Sequence, residues 1–279
     1  MFRTRLLSGI VLVIVIAFMF YSGGFVLASL LCVISLIGLY EFYKAVNILP
    51  DNKKIDSMTL MGYLGCVLVY VLESMFSGDI QYVIIAPVIT CVLMLAVYVL
   101  TFPKYESKNV VYAFFGFMYV SVLLSFVYLT RMLPEGKLLV WLVLFATWVC
   151  DTFAYLTGMA IGKHKLAPVL SPKKSIEGAV GGVVFSAIFA GVYGFFIKDY
   201  IVSDLMVMPT FIIACSSGAV VSQIGDLAAS AFKRNFEVKD YGHLIPGHGG
   251  IMDRFDSVIF VAPFVYYLVL FTVNVTTIS

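Results

Sequence analysis

Long uninterrupted apolar segments constrain this chain more than any other feature. A helix needs about 20 apolar residues to cross the hydrocarbon core of a bilayer. The alternating pattern of barrel strands is absent, and the apolar runs are too long for strands. We therefore predict an all-α fold, a polytopic transmembrane helical bundle of about nine spans. The predicted spans are 5–22, 24–43, 58–76, 81–102, 109–130, 138–161, 178–197, 206–232 and 255–275.

The composition agrees with a membrane protein. Of the 279 residues, 62% are hydrophobic and 12% are charged, whereas soluble domains carry roughly 25% charged residues. A soluble globular enzyme and a disordered chain are both excluded. The net charge of +2 gives no overall field that would attract nucleic acid, so membrane lipids are the expected surroundings. The loops are too short for a soluble domain, which leaves one integral-membrane domain over 1–279.

The basic residues predict the orientation, because cytoplasmic loops are enriched in Lys and Arg. With nine spans and a cytoplasmic N-terminus, only Arg131, Lys137 and Lys198 fall in outside segments, and all other basic residues fall inside. Removing one span would invert every later loop and destroy this bias. We therefore expect a cytoplasmic N-terminus and an outside C-terminus.

Two acids lie well within apolar segments of the second half, Asp151 and Asp226. An ionisable residue at membrane depth is costly and suggests a functional site, although a neighbouring helix could also satisfy it. Both acids lie toward the cytoplasmic ends of their spans, where two long polar loops follow. We expect one shared site facing the cytoplasm, with residues 1–140 as a scaffold and 141–279 as the catalytic helices and loops.

The loop at 162–177 carries a compact positive patch. Lysine binds phosphate as a point charge, and a helix beginning between Ser175 and Gly178 would present free N–H groups to an anion. The alternative is an ordinary cytoplasmic loop that contacts anionic lipid headgroups. The lysines of this loop are Lys163, Lys165, Lys173 and Lys174.

The eighth predicted span ends in a polar stripe. Ser222, Asp226, Ser230 and then Lys233 or Arg234 recur at steps of three or four residues, so they share one helix face. A stripe of this kind faces a cavity or forms a helix-packing seam.

The loop that follows contains the run Pro246-Gly-His-Gly-Gly250, which cannot be regular helix. Its glycines allow backbone N–H groups to converge on an anion. Asp253 and Asp256 stand three residues apart at the next helix start, where acids also favour the helix dipole. Carboxylates beside phosphates are what Mg²⁺ requires, and the histidine spacing is not that of a zinc site. The residues thus predict a membrane enzyme with a cytoplasmic Mg²⁺–phosphate site.

Residues 230–256 resemble the signature of the phosphatidate cytidylyltransferase family. The resemblance rests on Ser230-Ala-Phe-Lys-Arg, Lys239-Asp240 and Pro246-Gly-His-Gly-Gly-Ile-Met-Asp-Arg-Phe-Asp256. The stretch from Asp151 to Gly178 is similar as well, with Ser175 where the family usually has Thr. Gly225-Asp226-Leu227 also fits, as does Glu41-Phe-Tyr43 more weakly.

The resemblance implies the transfer of CMP from CTP to phosphatidic acid, which gives CDP-diacylglycerol and pyrophosphate. The small single-module chain is more similar to a bacterial plasma-membrane enzyme than to one of the endoplasmic reticulum, with the active site facing the cytoplasm. It implies Asp226, Asp253 and Asp256 as Mg²⁺ ligands. The remaining catalytic residues would be Lys233, Arg234, Lys239, Asp240, His248 and Arg254, with the cations neutralising phosphate charge. The substrate-binding residues would be Asp151, Lys173, Lys174, Ser175, Ser230, Gly249 and Gly250. The sequence leaves open an additional monovalent or divalent cation and a homodimer.

Two other readings compete with this one. The first keeps CTP as the donor and changes the lipid: a cytidylyltransferase for another lipid phosphate, such as an archaeal ether lipid, or a CTP-dependent polyprenol kinase. The second is an ion-coupled transporter, because intramembrane acids also mark ion paths. Transporters often carry paired broken helices in two halves, whereas here the polar residues crowd into the second half.

Overall fold

The computed structural model describes residues 2–49, 55–77, 79–201, 206–245 and 249–278. Within these ranges, eight helices are long and apolar enough to cross a membrane. They are preceded by α1 (Phe2–Ser22), which is apolar over Ser8–Ser22. The predicted polytopic helical bundle of about nine spans is confirmed, and the protein is a multi-pass membrane protein. The orientation of its termini stays a prediction.

The first half of the chain is a series of simple spans. After α1 come α2 (Gly24–Ala45), α3 (Ser57–Met75) and α4 (Ile80–Leu100). Asp56 fixes the start of α3, because its Oδ1 accepts a hydrogen bond of 2.9 Å from the Thr59 N–H. The span Ser107–Met132 contains α5 (Ser107–Gly116), a π-helical segment (Phe117–Val122) and α6 (Leu123–Met132).

The second half contains longer and less regular helices. The span Gly136–Ile161 consists of α7 (Gly136–Leu139), α8 (Trp141–Leu144), a second π-helical segment (Phe145–Val149) and α9 (Cys150–Ile161). It is followed by α10 (Ile176–Ile197), a 3₁₀ turn (Lys198–Tyr200), α11 (Val207–Asn235) and α12 (Met252–Ile278).

The lysine-rich loop adds one element to the predicted all-α fold. Strands β1 (Lys165–Ala167) and β2 (Ser171–Ser175) form an antiparallel hairpin, with Lys165 opposite Ser175. A two-stranded hairpin alone is marginally stable in water. This one directly precedes α10, and the Ile176 N–H donates to the His164 carbonyl at 2.9 Å, so the hairpin is tied to the helix start.

The chain divides into two compact units. The first comprises Met1–Met132 and Phe236–Phe255. In it, the Tyr43 hydroxyl of α2 donates to the Ala113 carbonyl of α5 at 2.8 Å. A Cβ at Gly116 would lie 2.7 Å from the Phe42 ring, so a glycine is needed where these helices meet.

The second unit comprises Leu133–Asn235 and Asp256–Ser279. Its α9 and α10 pack through glycines: a Cβ at Gly178 would lie 2.6 Å from the Ala154 carbonyl, and one at Gly182 would lie 2.8 Å from the Cys150 carbonyl. Helices in a membrane associate through close packing of small residues, because the lipid is as apolar as the helix surface. The α9–α10 pair therefore forms a tightly spaced support for the hairpin above it.

Candidate active site

A cavity of about 480 Å³ opens in the second unit between α9, the hairpin, α10 and α11. Its volume is within the range of small-molecule sites. It brings together five residues that the sequence predicts as site residues, and adds Gln223. The predicted residues that line it are Asp151, Lys173, Lys174, Ser175 and Asp226. The expectation that Asp151 and Asp226 share one place agrees with this geometry, while the roles assigned to them stay predictions.

Lys174 and Asp226 form an ion pair across this cavity, from Nζ to Oδ2. The two side chains are only 25% and 28% exposed, so water screens the pair less than it would on an open surface. Both members also contact the cavity. The pair therefore places one cation and one carboxylate side by side in the wall of the cavity.

Ser175 also caps the N-terminus of α10. Its Oγ accepts a hydrogen bond of 3.1 Å from the Gly178 N–H and so caps the start of α10. A Cβ at Gly158, Gly162 or Gly178 would lie 3.0, 2.6 or 2.9 Å from this oxygen, which means that backbone surrounds the hydroxyl closely. As cap, the oxygen acts as an acceptor, and its O–H can still donate to an anion in the cavity.

Glu177 connects the lysine loop to α10. Its carboxylate accepts hydrogen bonds from the Lys163 N–H at 3.1 Å and the His164 N–H at 3.2 Å. The same carboxylate lies 2.6 Å from His164 Nδ1. Because Glu177 is in the first turn of α10, these bonds fix the end of α9 and the start of the hairpin relative to that helix.

A second acidic residue of the predicted metal set lies near the ion pair. Asp256 is 8% exposed, and it interacts electrostatically with Asp226, Lys233 and Asp151. Its Oδ1 accepts the Ser257 N–H at 2.8 Å. Asp151 follows the π-helical segment Phe145–Val149, a feature frequent at functional sites. Three carboxylates and two lysines thus share one region of the second unit.

The predicted glycine-rich loop belongs to the first unit. Asp253 Oδ2 accepts two backbone hydrogen bonds, from the Tyr241 N–H at 2.9 Å and the Gly250 N–H at 3.0 Å. Gly249 has φ +88°, which favours glycine, and its carbonyl accepts the Ile245 N–H at 2.9 Å. The Gly250 N–H predicted to meet a phosphate therefore donates to Asp253 in this structure.

The remaining predicted residues differ in their surroundings. Lys239, Asp240 and Arg234 are exposed, whereas Ser230 and Lys233 are partly buried. The Nε of Arg254 is buried and has no hydrogen-bond partner among the described residues, so this N–H could donate to a bound anion. His248 lies outside the described residues, together with Pro246 and Gly247.

The chemistry of the carboxylates fits a hard divalent cation. Mg²⁺ is usually held by one or two carboxylates together with substrate phosphates and water, and Asp226 and Asp256 supply two carboxylates in one region. Among the residues that the structure describes, no group of three His, Cys, Asp or Glu residues is placed to hold a metal ion. The three-carboxylate set of Asp226, Asp253 and Asp256 stays a prediction.

Two residues, one in each unit, were not predicted as site residues from the sequence. Gln223 lies one turn before Asp226, and its Nε2 donates to the Ala179 carbonyl at 3.0 Å. Glu41 in α2 is 5% exposed, and its Oε2 accepts the Met252 N–H at 2.9 Å. The spacing of Gln223, three residues before Asp226 and next to the polar stripe, could have revealed it. Glu41 belongs to the weak resemblance of Glu41-Phe-Tyr43, but its contact with the start of α12 had no signal in the sequence.

Comparison with known proteins covers nearly the whole chain. Residues 3–272 match the model of the cytidylyltransferase family. A protein of Staphylococcus saprophyticus named phosphatidate cytidylyltransferase is 32% identical over 270 residues, which is 96% of this chain and 99% of that protein. A protein of Bacillus subtilis with the same name is 29% identical over 272 residues, or 95% of this chain and 97% of that protein.

Proposed function

Because the chain belongs to the cytidylyltransferase family, we propose that it is a phosphatidate cytidylyltransferase. The observation that carries this proposal is the near-complete coverage by relatives of that name. In the reaction, CTP and phosphatidate give CDP-diacylglycerol and pyrophosphate. The bacterial relatives also favour a plasma-membrane location, with the site open to cytoplasmic CTP.

The cavity suits the meeting of a lipid phosphate with a nucleotide. Its lining combines Lys173 and Lys174 with the apolar side chains of Ala154, Met159 and Leu166. A phosphate bound by the lysines would have its acyl chains beside apolar helix surface. The enzyme would then bind a lipid that stays in the bilayer while the triphosphate enters from the aqueous side.

The proposed chemistry needs positioning and charge neutralisation more than a base. A phosphate oxygen of phosphatidate attacks the α-phosphorus of CTP, and the bond from that phosphorus to the oxygen of the β-phosphate breaks. The attacking oxygen is already anionic near neutral pH, so no strong general base is required. Catalysis of this type depends on alignment and electrostatic stabilisation. Lys174, Lys233 and Arg254 would neutralise the phosphates.

Mg²⁺ is the proposed cofactor, held by Asp226 and Asp256 and joined by Asp253. When bound, it would offset the negative charge of the triphosphate and of the departing pyrophosphate. Asp226 would have to exchange Lys174 for the cation, which would release the Lys174 ammonium group toward a phosphate. In this proposal, residues 141–279 supply most of the site, and residues 1–140 act as scaffold.

An isotope experiment on the purified full chain in lipid nanodiscs tests the function. The chain is supplied with phosphatidate, Mg²⁺ and CTP labelled with ³²P at either the α or the γ position. We expect the α label in the lipid product and the γ label in pyrophosphate, each dependent on phosphatidate. The γ label in lipid would identify a kinase instead, and no transfer to phosphatidate would contradict the proposal.

A lipid panel gives the matched controls. Diacylglycerol lacks the attacking phosphate and should not react. Polyprenyl phosphate and a phosphorylated archaeal ether lipid present the same phosphate on other hydrocarbon. We expect phosphatidate to give the highest kcat/KM of the panel. A higher value for another lipid phosphate would keep the chemistry and change the substrate.

A further inference from the structure

We propose that Glu41 is a positioning residue, which holds the glycine-rich loop and the start of α12 so that Asp253 is correctly oriented. This inference rests on the proposed function, in which Asp253 serves the cation. Glu41, Asp253 and the loop 236–255 all belong to the first compact unit.

The carboxylate of Glu41 lies against the first amides of α12. Its Oε2 accepts the Met252 N–H at 2.9 Å, and the Ile251 amide lies beside it. Met252 is the first residue of α12, so its N–H has no acceptor within the helix. A carboxylate is favoured there because it also meets the positive end of the helix dipole. Glu41 thus caps α12 from a helix 211 positions away in sequence.

The loop encloses Glu41 from two sides. A Cβ at Gly242 would lie 2.6 Å from the Glu41 Cδ, and a Cβ at Gly250 would lie 2.6 Å from its Oε1. A Cβ essentially never comes so close to another atom, so a side chain at either position would displace this carboxylate or the loop. The result is a buried group, only 5% exposed, surrounded by backbone.

The same short segments hold Asp253. Its Oδ2 accepts the Tyr241 N–H at 2.9 Å and the Gly250 N–H at 3.0 Å. Tyr241 directly precedes Gly242, and both Gly242 and Gly250 lie against Glu41. Glu41 and Asp253 therefore fix one piece of backbone between them. When Glu41 is lost, residues 241–242 and 250–252 lose their common anchor, and the orientation of Asp253 is no longer imposed.

Glu41→Gln, Glu41→Ala and Gly250→Ala test the inference in nanodiscs. Glu73→Gln is the matched control. Glu73 in α3 is also a fully buried carboxylate of the first unit, but it lies beside Ser125 of α6 and not beside the loop. Groups that orient a metal-binding residue typically contribute about 10- to 100-fold to metal affinity or activity. We expect Glu41→Gln to raise the half-activating Mg²⁺ concentration about tenfold, Glu41→Ala and Gly250→Ala to raise it further, and Glu73→Gln to leave it unchanged.

Hydrogen exchange of peptides within 236–255 gives a second measurement that does not need activity. We expect faster exchange in Glu41→Gln than in wild type or Glu73→Gln, with a thermal midpoint within a few degrees of wild type. Lowered stability or yield with an unchanged Mg²⁺ requirement would show a purely structural role and overturn the inference. If the wild type does not use CTP and phosphatidate, the proposed function fails. The exchange measurement still tests Glu41 by itself: unchanged exchange in Glu41→Gln would show that Glu41 does not position the loop.

Discussion

Lys174 Nζ and Asp226 Oδ2 form an ion pair that joins the lysine-rich hairpin to the last third of α11. The pair brings together a residue predicted to bind substrate phosphate and one predicted to bind the metal ion. In the proposed reaction, a phosphate and a divalent cation would each take one member of this pair, so Lys174 and Asp226 would have to change partners when the substrates bind.

The first prediction concerns Lys174→Gln. A hydrogen bond to a charged group contributes about 1.5–3 kcal/mol, and 1.4 kcal/mol corresponds to roughly tenfold in affinity. We expect the KM of one substrate, CTP or phosphatidate, to rise at least about tenfold. Initial rates measured while each substrate is varied separately will identify which phosphate Lys174 meets.

The control for this change is Lys108→Gln. Lys108 also pairs with a carboxylate, that of Glu106, at 2.8 Å, but both side chains are well exposed, and exposed pairs contribute little. It should leave both KM values unchanged. If Lys174→Gln and Lys173→Gln also leave both values unchanged, the hairpin is an ordinary loop at the headgroups.

The second prediction concerns the carboxylates. Asp226→Asn and Asp253→Asn keep the size of the side chain and remove the charge that a divalent cation requires. We expect each to lower kcat at least about 100-fold while the chain still inserts and purifies, since a metal ion contributes several kcal/mol to charge stabilisation. Asp199→Asn, at an exposed aspartate of the 3₁₀ turn, is the control. Near-normal turnover in Asp226→Asn or Asp253→Asn would remove that residue from the metal site.

The membrane spans, and the position of Asp151 and Asp226 at one cavity, were predictable from the sequence for physical reasons. A helix that crosses a bilayer must be long and apolar, and this requirement acts on each segment separately. Asp151 and Asp226 lie near the same end of their spans, so connectivity alone places them at similar depth. The partners of individual side chains were not predictable. The Lys174–Asp226 pair depends on the register of the hairpin against α11, which no local pattern encodes.

Glu41 shows the same limit in another way. It lies three residues before Lys44 at the end of a span, where acids and bases commonly reach the interface. Its burial depends on Gly242 and Gly250, about 200 residues later in the chain. The predicted apolar span 255–275 leaves out the polar first turn of α12, which begins at Met252, because hydropathy marks only the apolar part of a helix. The helix start expected at Asp253 agrees with this boundary.

The third prediction concerns metal removal. Asp256 interacts unfavourably with the charges of Asp226 and Asp151, and a bound cation would relieve this repulsion. We expect EDTA to abolish turnover and Mg²⁺ to restore it. Because a ligand that binds the folded state stabilises it, Mg²⁺ should also raise the thermal midpoint of wild type, and raise it less in Asp226→Asn. Full activity in EDTA would contradict the metal proposal.

The last prediction concerns the glycines that bring α9 and α10 together below the cavity. A Cβ at Gly178 would lie 2.6 Å from the Ala154 carbonyl and 2.9 Å from Ser175 Oγ, so Gly178→Ala must push the helices apart or displace the cap. Overpacking typically costs about 1–3 kcal/mol, and the displaced lysine hairpin should lower kcat/KM as well. Gly191→Ala in the same helix is the control, because its Cβ would lie 3.5 Å from the Ile212 side chain, an ordinary contact. The measurement is the thermal midpoint and the kcat/KM of both variants in nanodiscs. Equal values for Gly178→Ala and Gly191→Ala would mean that close packing at Gly178 does not support the site.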